Sequence, residues 1–465
     1  MKLADLLSTQ PPLLRIPKAR AEIGKKLLAS GKKLVVIDDD PTGMQTVQEV
    51  NVYMDWSVDV LRKALGSGPP VFFVSVNSRS LGPDEAKTLA FEVGSNLHQA
   101  AELEKAGILL ASRSDSTLRG HFPYEVDALI AGFGMNPDGV ILAPAFFEAG
   151  RYTIDDTHWA EQGGDLVPVH QTEFARDPMF SFKNSDLKAW VEEKTGGAVK
   201  AGQVRSIPLG LVRRDGPVGV TKELINAHGG RPIVVNGACY EDYEVLCLGI
   251  QAAEEKGKRF VYRCSASFLK ARGGFEDRPV LTHKEMIQRD GPGLIVAGSY
   301  VEKTSRQLRR LLEAGLGEAI EIRVEELQRK ENREREIRGV STEVDRKLDR
   351  GETVVLYTSR KILRSPGKDF AETGKSIMEG ICEVVKHIHV PPAFVVAKGG
   401  ITSIQVAKDA LGAKEAFALG QILPGVPVWR LGSESRWPGL PFVVFPGNVG
   451  DDGAVLKAVM ALRGK

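Results

Sequence analysis

Short, continuous apolar runs recur along the chain: KLVVID (33–38), PVFFVSV (70–76), GILLAS (107–112), GVILAP (139–144), RPIVVNG (231–237), RFVYRC (259–264), GLIVAGS (293–299), TVVLYTS (353–359), AFVVAKGG (393–400) and PFVVFPG (441–447). They are rich in β-branched residues and lack polar alternation. That is the pattern of strands covered on both faces, as in parallel sheets. Stretches of helical period lie between many of them, among them DEAKTLAFEVGSNLHQAAELEKAG, KTSRQLRRLLEAG, KSIMEGICEVVKHI and TSIQVAKDALGAKEA. Strand–helix alternation predicts an α/β architecture. The mixed-polar segment SFLKARGGFEDRPVLTHKEMIQRDGPG reads as a connection, which divides the chain into domains at 1–285 and 286–465. Residues 147–185, rich in His, Asp and Gly, read as a long surface or lid segment. The doubly charged stretch 325–350 reads as a solvated helical face with loops.

At 465 residues, a chain this long buries a large core without staples. Lys+Arg is 62 against 60 for Asp+Glu, so the net charge is only +2. That balance argues against a general nucleic-acid binder. The four cysteines (Cys239, Cys247, Cys264, Cys382) form no C-x-x-C pair and have no flanking His cluster, so they read as buried, reduced thiols. The sequence contains no run of 18 apolar residues and no secretory leader, which predicts no membrane span and a cytoplasmic setting.

Polar clusters follow several of the predicted strands. VVIDDDPTG (35–43) puts Asp38, Asp39 and Asp40 at a strand end, where carboxylates repel one another and gain stability from a cation or polyol. In open α/β sheets, ligands bind outside such ends. SVNSRS (75–80) carries Arg79, a candidate for bidentate contact with a substrate carboxylate. SRSDSTLRGHFPYEV (112–126) packs Arg113, Asp115, Ser116, Thr117 and Arg119 into seven positions. VAKGGITS (396–403) is a strand, two glycines and hydroxyls opening a helix, an arrangement that receives phosphate. FPGNVGDDG (445–453) and the turn at Gly298–Ser299 are similar. Each cluster taken alone also reads as an ordinary turn or helix cap. GKS at 374–376 lacks the glycine of a P-loop, and neither G-x-G-x-x-G after a strand nor G-x-S-x-G occurs. His158, His170 and His283 are scattered and read as structural.

DDDPTG, NSRS, SDSTLRG, GGITS and PGNVGD, in that order, resemble the four-carbon acid sugar kinase family, which includes 3-oxo-tetronate, D-threonate and D-erythronate kinases. The resemblance spans roughly residues 33–460. It implies two α/β domains, each with a largely parallel sheet flanked by helices, with the ligand cleft between them. The first would bind the acid sugar and the second ATP, with Mg²⁺ bridging the phosphates. It implies substrate contacts from Asp39, Asp40, Arg79, Arg113, Ser116, Thr117 and Arg119, and ATP contacts from Ser299, Gly399, Gly400, Ile401, Thr402, Gly447 and Gly450. Asp39 or Asp40 would orient or deprotonate a terminal hydroxyl. Arg113 stands where the family has lysine, and Ile401 where it has an acid. EAGRYTIDDTHW, from Glu148, marks a subgroup. The expected partners are a small acid sugar and ATP, with neither nucleic acid nor membrane, and self-association into a homo-oligomer is compatible. A metal-assisted sugar-acid aldolase or isomerase and a non-catalytic nucleotide sensor are the competing classes. The metal ligands and the identity of the sugar are left open.

Overall fold

The computed structural model describes residues 1–66, 68–298, 302–359, 370–447 and 449–465. Within them the chain forms two compact units, one of residues Met1–Val47 with Asp55–Asp277, the other of Gln48–Met54 with Arg278–Lys465. The strands of the first unit are β1 (Lys33–Asp38), β3 (Val71–Ser75), β4 (Ile108–Arg113), β5 (Gly139–Ala143), β6 (Arg151–Ile154), β7 (Thr157–Gln162), β8 (Asp165–Pro168), β9 (Arg205–Ile207), β10 (Arg231–Val235) and β11 (Phe260–Cys264). Those of the second are β2 (Val50–Tyr53), β12 (Gly293–Ala297), β13 (Glu318–Ile322), β14 (Val354–Thr358), β15 (Phe394–Lys398), β16 (Glu415–Leu423), β17 (Val426–Leu431) and β18 (Pro441–Phe445).

The first unit holds a parallel sheet in the order β3-β1-β4-β11-β5-β10-β9. Its continuous apolar strands are buried along nearly their whole length, as double coverage requires. Register decides the rest. Asp38 lies opposite both Ser75 and Arg113, and Arg113 lies opposite Cys264. The loops that leave β1, β3 and β4 therefore start from one edge.

The second unit repeats the device. β13-β14-β12-β15-β18 are parallel, and β17, β16 and β2 extend the sheet antiparallel. Lys398 lies opposite Ala297 and Phe445, so the loops after β12, β15 and β18 share an edge. Ile295, Val396, Val443, Phe445, Val455 and Val459 belong to its core. β2, although early in the chain, pairs with this unit's β16, Val52 opposite Ala416.

Four expectations change. Residues 147–185 are not one irregular segment: they contain the three-stranded antiparallel sheet β6-β7-β8, whose short strands hide among turn-forming residues. The 265–292 segment is not only a connection. Ala266–Gly273 is a helix with Phe268, Leu269 and Arg272 buried, and Arg272 pairs with Glu254 at 2.7 Å. Of the cysteines, all free, Cys239 is partly exposed. In 325–350 the helix Lys330–Asp349 exposes most of its charges, but it buries Glu336 and a seam of Ile337, Val340, Val344 and Leu348. No helix among the described residues is long and apolar enough to cross a membrane.

Candidate functional site

The aspartates that end β1 sit in a lattice of arginines. Asn77, with left-handed φ of 53°, turns the chain after β3 so that the Arg79 amide bonds the Asp39 carbonyl. The Arg79 side chain then grips the Asp39 carboxylate through Nε (3.0 Å) and Nη2 (2.6 Å), and reaches Asp40 Oδ2 through Nη1 (3.0 Å). From β4, Arg113 Nη1 donates to Asp38 Oδ1 and Asp39 Oδ1, both at 3.3 Å. Arg79 also stands 3.8 Å from Asp115, which Arg119 Nε holds at 2.8 Å. The acidic strand end was expected to call for a cation or polyol. The compensating cations are the protein's own guanidiniums, brought from strands far off in sequence.

Closeness here restricts residue choice. A Cβ on Gly43 would lie 2.1 Å from Asp38 Oδ2, so only glycine lets the turn close over the buried carboxyl. Inside that turn, Asp40 Oδ1 accepts from the Thr42 amide (2.8 Å) and hydroxyl (2.7 Å).

The carboxyls separate by environment. Burial, reinforced by Asp39 and Asp40 against the pull of Arg113, pushes Asp38 up to about 8, and its Oδ2 has no partner. Burial and the Asp39 charge push Glu125, which accepts from the Ser78 hydroxyl, up to about 7. Burial works against Asp40 as well, but Arg79, Arg113 and the Thr42 bonds outweigh it and hold Asp40 below the usual carboxylate range. Asp115 is likewise held down by Arg79 and Arg119 despite burial. Asp40 is also the accessible one: its side chain is 25% exposed against 2% for Asp39.

The small sheet enters the same region. His158 on β7 bonds the Ser116 carbonyl through Nε2 (2.7 Å) and the Thr153 hydroxyl through Nδ1 (3.0 Å). Burial lowers this imidazole to about 4, so it is neutral. Arg151 on β6 donates to Ser116 Oγ at 3.1 Å.

In the second unit, Gly399 takes a φ of 110°, open to glycine, and caps the helix Gly400–Gln405. Ser403 Oγ ties that turn to the Ala397 and Gly399 carbonyls (2.9 and 2.8 Å). Lys398 is buried at the end of β15 and donates to the carbonyls of Pro446 (2.7 Å) and Gly447 (3.0 Å), joining two glycine turns. Burial, with Lys303 nearby, lowers its ammonium to about 7. Gln307 holds the last turn through the carbonyls of Val449 and Asp451 (3.2 and 2.8 Å).

The structure thus brings Asp39, Asp40, Arg79, Arg113 and Arg119 into one charged lattice, with Ser116 tied in through Arg151 and Thr117 through a bond from its hydroxyl to Asp115. The carboxylate-gripping edge of Arg79, expected to serve a substrate, is filled by Asp39, because the buried carboxylate needs it. Gly399, Gly400, Ile401 and Thr402 follow β15, and Gly447 and Gly450 follow its neighbour β18. Ile401 is half exposed, whereas Thr402 turns its hydroxyl inward to the Met378 sulfur at 3.7 Å. Ser299 lies outside the described residues. Sequence reading missed Lys398, Gln307, Arg151 and Glu125. For Lys398 a signal existed, a lysine inside an otherwise apolar strand.

Residues 34–272 match a family model described as a sugar-binding N-terminal domain, and residues 294–455 one described as a nucleotide-binding C-terminal domain. A D-threonate kinase of Salmonella typhimurium (strain LT2) is 25% identical over 450 residues, 92% of this chain and 97% of that protein. A D-erythronate kinase of Heliobacterium modesticaldum is 26% identical over 288 residues, 59% of either protein. The fold is shared with a Salmonella typhimurium LT2 protein (TM-score 0.68, 16% identity, 92% and 98% of the two chains). It is shared also with a Haemophilus influenzae protein (TM-score 0.65, 19% identity, 92% and 100%).

Proposed function

The chain belongs to the four-carbon acid sugar kinase family, and from that premise we propose that it transfers the γ-phosphoryl group of ATP to a terminal hydroxyl of a four-carbon acid sugar. The observation that carries this reading is Asp40. Of the three aspartates ending β1 it is the least buried, and Arg79 and Thr42 keep it ionised and fixed. An ionised, oriented carboxylate beside a solvent-reachable surface is what an acceptor alcohol needs.

Phosphoryl transfer asks the protein for placement and charge more than for covalent chemistry. Asp40 accepts the hydrogen bond of the acceptor hydroxyl and aims its lone pair. As the new O–P bond forms and the bond to the β-phosphate oxygen breaks, the hydroxyl proton passes to Asp40 and ADP leaves. Arg79, Arg113 and Arg119 fix the acidic loops and supply positive field for an anionic substrate. On the nucleotide side, the Gly399–Gly400 turn and the Gly447–Gly450 turn would receive phosphates, with Lys398 holding one to the other. Mg²⁺ enters with ATP as the substrate complex, its preference for phosphate oxygens and water met there. Among the described residues no group of three or more His, Cys, Asp or Glu side chains is gathered to hold a metal.

The test is an ADP-release assay with Mg–ATP and a panel of D-threonate, D-erythronate and 3-oxo-tetronates. At least one acid is expected to drive ADP formation, and Asp40→Asn to lower kcat by about 10²–10⁴-fold with little change in melting temperature. Absence of ADP with every acid in the panel, from protein whose melting temperature those acids raise, overturns the kinase reading.

A further inference from the structure

We infer that Arg151 and Ser116 together form the subsite that receives the substrate's carboxylate, and that the small antiparallel sheet β6-β7-β8 exists to carry it. The inference rests on the acid sugar reading above and names the end of the molecule that reading leaves unassigned.

The argument begins with an uncompensated charge. Arg79, Arg113 and Arg119 each have a carboxylate within ion-pair distance. Arg151 has none among the described residues: the one hydrogen bond its side chain makes there is to Ser116 Oγ, and its buried Nε has no partner. A largely buried guanidinium left this incompletely satisfied costs stability, and a fold retains it where a ligand completes the set. Its charge is disfavoured first by burial and then by Arg119, with only Asp115 in support. Arg119 and Arg151 also share one aromatic platform, their guanidinium carbons 5.2 and 5.4 Å from the Phe174 ring centre. Two like charges gathered at one ring favour an anion between them.

Arg263 supplies the contrast. It too lacks a carboxylate within ion-pair distance, but it is sealed at 2% exposure over the Phe122 and Trp190 rings and bonds the Arg119 carbonyl. Arg151 is partly exposed, so a ligand can reach it.

Ser116 completes the pair of donors. Its oxygen accepts from Arg151 Nη1, which leaves its own proton free to donate outward. Its carbonyl is fixed by His158. Arg151 is pinned as firmly: its amide and carbonyl both bond Phe146 at 3.0 Å, and Thr153 ties β6 to Gly237 through bonds of 3.2 and 2.9 Å. Guanidinium and hydroxyl thus present fixed N–H and O–H groups, the donor set a planar carboxylate takes. The hydroxyl end of the substrate is placed by chain connectivity. Asp115 precedes Ser116, and Arg79 stands at 3.0 Å from Asp40 and 3.8 Å from Asp115, so the two ends of an acid sugar would straddle Arg79.

The experiment compares wild type, Arg151→Lys, Arg151→Ala and Ser116→Ala, with D-threonate and D-erythronate as probes and the corresponding uncharged amides as controls. Binding is read by calorimetry without nucleotide, and KM for acid and for ATP by ADP release. Arg151→Ala is expected to weaken acid binding about 10- to 100-fold, to leave KM for ATP unchanged, and to erase the preference for acid over amide. Arg151→Lys keeps the charge without the fork and is expected to recover part of the affinity, which guards against a folding defect in the alanine variant. Wild-type acid binding and wild-type discrimination in Arg151→Ala, or in Arg151→Lys together with Ser116→Ala should the alanine variant not fold, overturns the subsite. Arg151-dependent acid binding without any ADP formation would instead sink the kinase reading and leave the subsite standing.

Discussion

Replacing Arg79 with alanine tests whether the strand-end lattice is structural as well as functional. Arg79 makes three charge-assisted bonds of 2.6 to 3.0 Å, and its partner Asp39 is 2% exposed. Alanine would leave Asp39 buried with only the 3.3 Å contact from Arg113, and would leave Asp40 and Asp115 without their shared cation. Breaking a buried ion pair by deleting one partner costs about 3–5 kcal/mol, because a desolvated charge is stranded. For a domain of this size roughly 2–4 °C is lost per kcal/mol, so the melting transition of the first unit is expected to fall on the order of 6–20 °C. Scanning calorimetry reads it. A control separates stranded charge from lost packing: Arg79→Met with Asp39→Leu removes both charges, and should melt well above Arg79→Ala while remaining inactive. If Arg79→Ala melts within about 2 °C of wild type, the guanidinium does not hold the strand end and the lattice argument fails. Loss of activity in Arg79→Ala alone would say nothing about substrate contact, since Asp40 loses its anchor in the same stroke.

Three further outcomes are expected. His158 is held neutral, near 4 by burial, while its unfolded value is near 6.5; the unfolded chain therefore binds the extra proton first, and stability is lost as pH falls from about 6.5 to 4. The loss is on the order of 3 kcal/mol, and His158→Gln should flatten melting temperature against pH over that window; an unchanged profile refutes the assignment. Arg113 reaches both aspartates through Nη1 alone, with Nε buried and unpartnered, so one ammonium could replace it. Arg113→Lys should keep kcat/KM within about tenfold of wild type, and a larger loss would mean that the fork itself touches substrate. Lys398→Met removes the donor that joins the Pro446 and Gly447 carbonyls, and should raise KM for ATP while leaving KM for the acid unchanged; the reverse split refutes a nucleotide-side role.

The parallel strands were legible because burial on both faces demands an unbroken apolar run, and each of the ten runs became a strand. The strands that escaped are those with other covering. β16 alternates buried and half-buried residues over Glu415–Leu423, and β13 buries only Ile320 and Ile322 at a sheet edge. β6, β7 and β8 are only four to six residues each, and His, Asp and Gly fall between and even within them, so no apolar run marks them. The helix at 266–273 was hidden because Lys270 and Arg272 help make its segment mixed-polar, which read as a connection. Both are buried beside carboxylate partners, Arg272 on Glu254 and Lys270 on Asp277.

The site divides along a similar line. Which polar groups gather was legible, since a parallel sheet delivers every loop after a strand's C-terminal end to one edge. Which group satisfies which was not. Asp39 finds Arg79 forty positions on and Arg113 seventy-four positions on, and those partners are fixed by strand register rather than by any local spacing. The consequence is that a count of charges in a motif overstates what is free for a ligand. Of the arginines beside the acidic edge, three are held by the protein's own carboxylates, and a fourth is sealed over aromatic rings. The guanidinium left for an anion, Arg151, came from a segment that read as a surface or lid stretch; among the described residues it is set apart from Arg113 by the lack of a carboxylate partner and from Arg263 by its partial exposure.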